Sequence, residues 1–209
     1  MTSSAPPAIP STPGEFACID LVNSALTQYL GKGPGFDRLP LPEWQAWFLN
    51  RYGLGVDTEY PAPIDELTAL REQLRTTLER WAMAGSLTAR DAEALDRWVS
   101  TTPLRQRVTK ISGRIELTLE PLARDWNWAM GRIAASVLEM VAGNAPERLK
   151  ICGNPDCRRM FYDQTLNRSK RFCSASHCGN VMRVRRFRAK QPRVAGELRC
   201  RGCGRRGGM

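Results

Sequence analysis

The 209-residue sequence holds one histidine, His177. A Ser-His-Asp or Cys-His catalytic set would have to use that residue. Motifs that need two histidines are excluded, including H-E-x-x-H and zinc fingers with two Cys and two His. Neither G-x-x-x-x-G-K nor G-x-G-x-x-G occurs, so no Gly-rich phosphate loop is read. No stretch approaches the ~20 apolar residues of a membrane helix; the best, residues 133–143, is interrupted by Glu139. The first sixteen residues have no basic n-region and no apolar h-region, so a cytoplasmic protein with no membrane contact is expected. Reduced thiols in that compartment favour metal over disulfide for clustered cysteines.

Acidic residues are also scarce at one end. Residues 150–209 contain 16 Lys and Arg but only Asp156, Asp163 and Glu197 as acids, a net of +13. Residues 1–149 contain 15 Lys and Arg against 18 acids, a net of −3. So concentrated a positive charge faces a polyanion, most often nucleic acid. All six Trp fall in the acidic part, and 42% hydrophobic residues are enough to build a core.

Residues 1–14 hold four of the fourteen prolines and read as a flexible arm. Phe16, Ile19, Val22 and Leu26 share a helical face, predicting a helix over 16–30 broken by the Gly/Pro stretch at 31–35. Trp44, Trp47 and Phe48 mark a short helix over 41–52. Ile64, Leu67, Leu70, Leu74, Leu78 and Trp81 form one long stripe, with Pro63 before it and Gly85 as its stop. Thr88-x-x-Asp91 resembles a capping box for a helix to about Ser100. Val108, Ile111, Ile115, Leu117 and Leu119 around Ser112-Gly113 predict a β-hairpin over 105–120. Leu122, Trp126, Ala129, Ile133, Val137 and Met140 predict a last helix ending at Gly143-Asn144. The fold class expected is mainly α: a helical domain with one hairpin over 15–145, able to hold a small-molecule effector between its helices.

Cys152-Gly-Asn-Pro-Asp-Cys157 and Cys173-Ser-Ala-Ser-His-Cys178 are two C-x4-C pairs separated by fifteen residues. Four thiolates in two tight turns suit one tetrahedral Zn²⁺, a closed structural site with no open position for catalysis. Cys152, Cys157, Cys173 and Cys178 are therefore the expected metal ligands, and no catalytic residue is assigned. Residues 158–162 and 170–172 are expected as two short strands, with Met160, Phe161, Tyr162 and Phe172 as apolar cover. Ser174 is the expected cap of a following helix, and His177 reads as a surface residue beside the ligands. Knuckle, hairpin and helix make a treble-clef-like finger over 146–190, followed by a basic Gly/Arg tail over 191–209. Its Cys200-x-x-Cys203 reads as reduced thiols. Cys18 reads as core.

Residues 148–190 resemble the CGNR-type zinc finger of bacterial transcription regulators. The likeness rests on the first C-x4-C, Phe161-Tyr162, the basic run before Cys173, Cys178-Gly179-Asn180 and the Arg-rich helix after it. Val181 stands where that motif has arginine. Residues Cys18-Ile-Asp-Leu-Val-Asn23, with the segment 44–54, resemble the opening of ABATE, the stress-related regulatory domain that precedes this finger. Ser24 stands where that domain usually has Thr. The resemblance implies a zinc-dependent DNA-binding regulator.

The helix after Cys178 carries Arg183, Arg186 and Lys190 on one face, flanked by Arg185 and Arg188. Val181, Val184 and Phe187 form a narrow apolar side expected to pack on the finger's hairpin. Together with Lys170 and Arg171, these cations are the expected nucleic-acid contacts. Arginine forks onto phosphate or onto guanine O6 and N7. Double-stranded DNA is the expected partner, bound as a homodimer on two half-sites. RNA binding, or a zinc-stabilised module that contacts an acidic protein, are the alternatives.

Overall fold

The computed structural model describes residues 16–26, 35–56, 61–142 and 146–191. The arm at 1–14, the break at 31–34, the Gly143-Asn144 stop and the tail with Cys200 and Cys203 lie outside the described residues. The fold is mainly α, as expected, with three two-stranded antiparallel pairs among the described residues.

α1 (Ala17–Val22) is buried along its whole length. It packs against α3 (Ile64–Ala84), α5 (Trp126–Ala142) and strand β6 (Met160–Tyr162). Its Cys18 N–H donates to Ser136 Oγ of α5 at 3.0 Å. Burial pushes the Cys18 thiol up to about 12, so it stays protonated in the core. The expected helix over 16–30 is corrected here: it ends at Val22. Ser24 Oγ donates to the Leu21 carbonyl at 2.7 Å, and short polar side chains that bond nearby backbone favour helix exit. The chain then runs through β1 (Ala25–Leu26), paired with β2 (Phe36–Asp37). Buried Arg71 of α3 holds this corner, forking onto Asp37 at 2.7 and 2.8 Å and reaching Ser24 Oγ at 2.9 Å.

The remaining helices follow the apolar periodicity. α2 (Pro42–Arg51) buries Trp44 and Phe48, whose rings stack at 4.8 Å. α3 buries Leu67, Leu70, Leu74, Leu78 and Trp81 and stops at Gly85. α4 (Ala89–Val99) starts on a two-way capping box: Asp91 N–H donates to Thr88 Oγ1, and Thr88 N–H to Asp91. α5 buries Ala129, Ile133, Val137 and Met140. Leu122, expected on that stripe, precedes the helix and is exposed, because Asp125 caps it by accepting the Trp128 N–H. Strands β3 (Leu104–Ile111) and β4 (Arg114–Pro121) form the expected hairpin. Ser112 at φ 50° and Gly113 at φ 85° make its two-residue turn, the left-handed pair such hairpins require.

The C-terminal segment is not a separate island. β5 (Leu149–Ile151) pairs with β6, and Leu149 and Met160 are buried in the same core as the N-terminal helices. The strand expected at 170–172 is corrected: residues 149–151 partner β6 instead. The turn from Cys152 to Cys157 folds the chain straight back, so the knuckle lies inside the hairpin. Met160 and Tyr162, expected to cover the metal, face the N-terminal core; Phe161 and Phe172 flank the sulfurs.

Candidate metal centre and nucleic-acid interface

The four cysteines arrive from two turns. In the first, Cys157 N–H donates to the Asn154 carbonyl at 3.0 Å, and Asn154 Oδ1 accepts from Asp156 N–H at 3.3 Å. Gly153 N–H donates to the Arg171 carbonyl at 2.9 Å. A Cβ at Gly153 would lie 3.1 Å from that oxygen, so the approach of the two segments depends on glycine. Cys173 precedes, and Cys178 sits on, a wide helical turn (Ala175–Gly179), where Gly179 N–H reaches the Ser174 carbonyl five residues back. Ser174 caps it, its Oγ accepting from His177 N–H.

These turns bring the Sγ atoms of Cys152, Cys157, Cys173 and Cys178 within 4.8 Å of one another. Cys157 and Cys173 are 3.6 Å apart, Cys173 and Cys178 3.8 Å. A tetrahedral ion with Zn–S bonds near 2.3 Å needs sulfurs about 3.8 Å apart, so the residues fit zinc. The Asn154 amide donates to Cys178 Sγ at 3.6 Å and the Cys173 N–H to Cys152 Sγ at 3.5 Å, orienting donors that ligating thiolates need. Buried Asn154 bridges both pairs, a role that its reading as a turn former missed. Hydrogen bonds from Cys157 and Cys173 pull Cys152 down to about 2; the Cys152 thiolate pushes Cys157 up to about 12. Thiols this close cannot all ionise without a cation; a bound dication would offset two of the four thiolate charges and fix the cluster's shape. His177 points instead to Ser176 Oγ at 3.2 Å, exposed and away from the sulfurs.

Asp163 ties the loop before the second pair. Its carboxylate accepts from Lys150 Nζ (2.7 Å), Thr165 Oγ1 (2.6 Å) and the backbone N–H groups of Thr165 (3.0 Å) and Lys170 (2.9 Å). Burial alone would raise its pKa, but these bonds outweigh burial and hold it well below the ordinary carboxylate range. A depressed folded value stabilises the native state above about pH 4 and is lost only as pH falls below that. Asp163→Asn should therefore cost about 2 kcal/mol in urea unfolding. The gap to wild type should stay level from about pH 8 to pH 5; a gap that shrinks over that interval would contradict the assignment.

The cationic side chains then take their places. α6 (Asn180–Lys190) follows the wide turn without a break. Arg185 pairs with Asp156 of the knuckle, pinning the helix to the metal turn. Arg186 lies 6.0 Å from the Phe172 ring centroid, and Lys170 Nζ 5.3 Å from that of Phe161. Arg171, Arg183, Arg188 and Lys190 are exposed, with no ion-pair partner among the described residues. The expected apolar side of α6 is corrected. Val181 is half-buried, but Val184 is exposed and Phe187 is 64% exposed. The helix's apolar contact is confined to its first turn, at Val181 and Met182, with Arg185 adding the ion pair in the second, because Met160 and Tyr162 turn their apolar surface toward the N-terminal core.

The described residues include no helix long and apolar enough to cross a membrane. No curated protein matches the chain. Residues 148–191 match the CGNR zinc finger family, and the four cysteines stand ready to hold its single ion. Residues 15–144 match the family described as "Putative stress-induced transcription regulator", ABATE. This match covers more than half of the sequence, and the order of the two is the order of the fold, so the chain belongs to the ABATE family and carries a CGNR zinc finger at its C-terminal side.

Proposed function

We propose that the protein is a cytoplasmic, DNA-binding transcription regulator that catalyses no reaction. Residues 146–190 would hold double-stranded DNA, and residues 15–145 would sense a signal or join two copies. The observation that carries this reading is α6: a helix stapled to the metal turn by Arg185 and Asp156, with Arg183, Arg186, Arg188 and Lys190 on its free surface. Rigid placement of forked cations suits phosphates at a groove edge. Lys170 and Arg171 extend the cationic surface toward the finger loop. An effector entering the pocket lined by Leu39, Trp44, Phe48 and Trp126 would have to open it, since it has room for about one water.

Fluorescence titration of duplex DNA against salt tests the proposal. The affinity should fall with log[salt] at a slope near −0.9 per phosphate contacted. The Arg183→Ala, Arg186→Ala double variant should bind about 10–100-fold more weakly and lose roughly two contacts' worth of slope. An unchanged slope would remove α6 from the interface. One observation favours RNA as a second reading: Phe187 stands exposed among the arginines, as a ring that stacks on unpaired bases would. Competition between duplex DNA and single-stranded RNA separates the two.

A further inference from the structure

The β3–β4 hairpin stands largely bare of the helices. Its ladder runs from Leu104 opposite Pro121 at the base to Ile111 opposite Arg114 at the turn. Strand alternation puts Leu104, Gln106, Val108 and Lys110 on one face, beside Ile115, Leu117, Leu119 and Pro121. The reverse face is polar, with Arg105 and Arg107 both paired to Glu120. The aliphatic face does not pack on the helices: Val108 is 69% exposed, Ile115 77%, Leu117 63% and Leu119 64%. A two-stranded hairpin standing alone is marginal in water, and a bare apolar face of this extent marks an interaction surface.

We infer that this face is where two copies of the chain meet. The pattern is self-complementary. The central row is Val108 opposite Leu117, and each neighbouring row has one polar residue on β3 and one aliphatic on β4: Gln106 with Leu119, Lys110 with Ile115. A two-fold axis crossing the strands at the central row stacks the hairpins face to face. Leu117 then meets Leu117 of the other copy, and Val108 meets Val108. Leu119 meets Ile115, and the Gln106 amide oxygen can accept from the Lys110 ammonium. A register one row nearer the base leaves the Lys110–Ile115 row outside the contact. The exposed aliphatic side chains amount to roughly 600 Å² per copy, near the ~800 Å² per partner of a standard interface. Nucleic acid or an acidic protein would select a cationic face; this one carries the single cation Lys110. The inference rests on the hairpin alone and stands whether or not α6 holds DNA.

Sedimentation velocity on the full, metal-loaded chain tests it. Wild type should be a dimer in the micromolar range. Leu117→Lys should raise the dimer dissociation constant at least about 100-fold. Thr118→Lys, on the reverse face, should leave it unchanged. Leu117 is exposed and Thr118 half-buried on the reverse face, and unchanged helical circular dichroism and metal content would show that the fold survives in both variants. Gln106→Glu should tighten the dimer and Gln106→Lys loosen it, each about tenfold, through the facing Lys110. A wild type that stays monomeric at every attainable concentration overturns the inference. So does a Leu117→Lys variant that dimerises like wild type, a Thr118→Lys variant that dissociates as strongly, or identical behaviour of the two Gln106 variants.

Discussion

Stripping the metal with a chelator should unfold the finger and strongly weaken the proposed DNA binding, and Cys157→Ser should do the same with no chelator. The finger's own buried apolar cluster is small: Cys152, Phe161 and Cys178, with Cys157, Phe172 and Cys173 packed against it. Such a cluster cannot offset the entropy of ordering some forty residues. Zinc held by four thiolates contributes about 10–16 kcal/mol apparent at neutral pH, and that is folding energy for the segment. Without it, α6 loses the knuckle to which Arg185 pins it. DNA affinity should fall by more than about 100-fold, to the level of a basic unfolded tail. Circular dichroism should keep most of its helical signal, because α1, α3, α4 and α5 bury their stripes on one another. Re-adding zinc should restore binding to the chelated protein and not to Cys157→Ser. Full-strength binding in the presence of chelator would refute the metal's structural role.

The second large effect is expected at Asn23, far from the sulfurs in sequence. Its side-chain amide clamps the backbone of Met160 on both sides: Nδ2 donates to the Met160 carbonyl at 2.8 Å, and Oδ1 accepts the Met160 N–H at 3.0 Å. The amide thus bonds β6 as a neighbouring strand would, and it joins α1 to the finger through buried atoms. Asn23→Ala leaves two buried backbone groups without partners, at about 1–3 kcal/mol each. Thermal unfolding should lose about 2–6 kcal/mol in all, a large share of a domain's stability. Because β6 follows the first knuckle directly, the same substitution should weaken metal retention against a competing chelator by roughly tenfold or more. Asn23→Asp is the sharper control, since a carboxylate accepts the Met160 N–H but cannot donate to the carbonyl. Equal metal retention in wild type and Asn23→Ala would show that the two halves are energetically independent.

Much of this architecture was legible in residue order because the signals are local. The Leu67-to-Trp81 stripe, the Thr88–Asp91 box and the Ser112-Gly113 turn each depend on neighbours a few positions apart. The two C-x4-C pairs likewise predicted a single tetrahedral site, since each turn presents two sulfurs from one side. What misled were segments whose partners are distant. The apolar spacing through Leu26 extended α1 too far, because nothing nearby shows that Arg71 holds the corner at Asp37. The partner of β6 is not legible locally, since 149–151 and 170–172 are equally short and each mixes basic with apolar residues. Val184 and Phe187 looked like a packing stripe, and the surface they would cover is absent.

The spacing of its cysteines, the one-sided distribution of its charge and its three-to-four-residue apolar repeats determined by themselves that this chain has a metal-stapled basic end and a helical body. The tertiary structure alone decided that the two share one core. Asn23 and Met160 stand 137 residues apart, and no local pattern links them. Their bond exists because burying α1 against α3 and α5 leaves one edge open, and β6 is the strand whose backbone closes it.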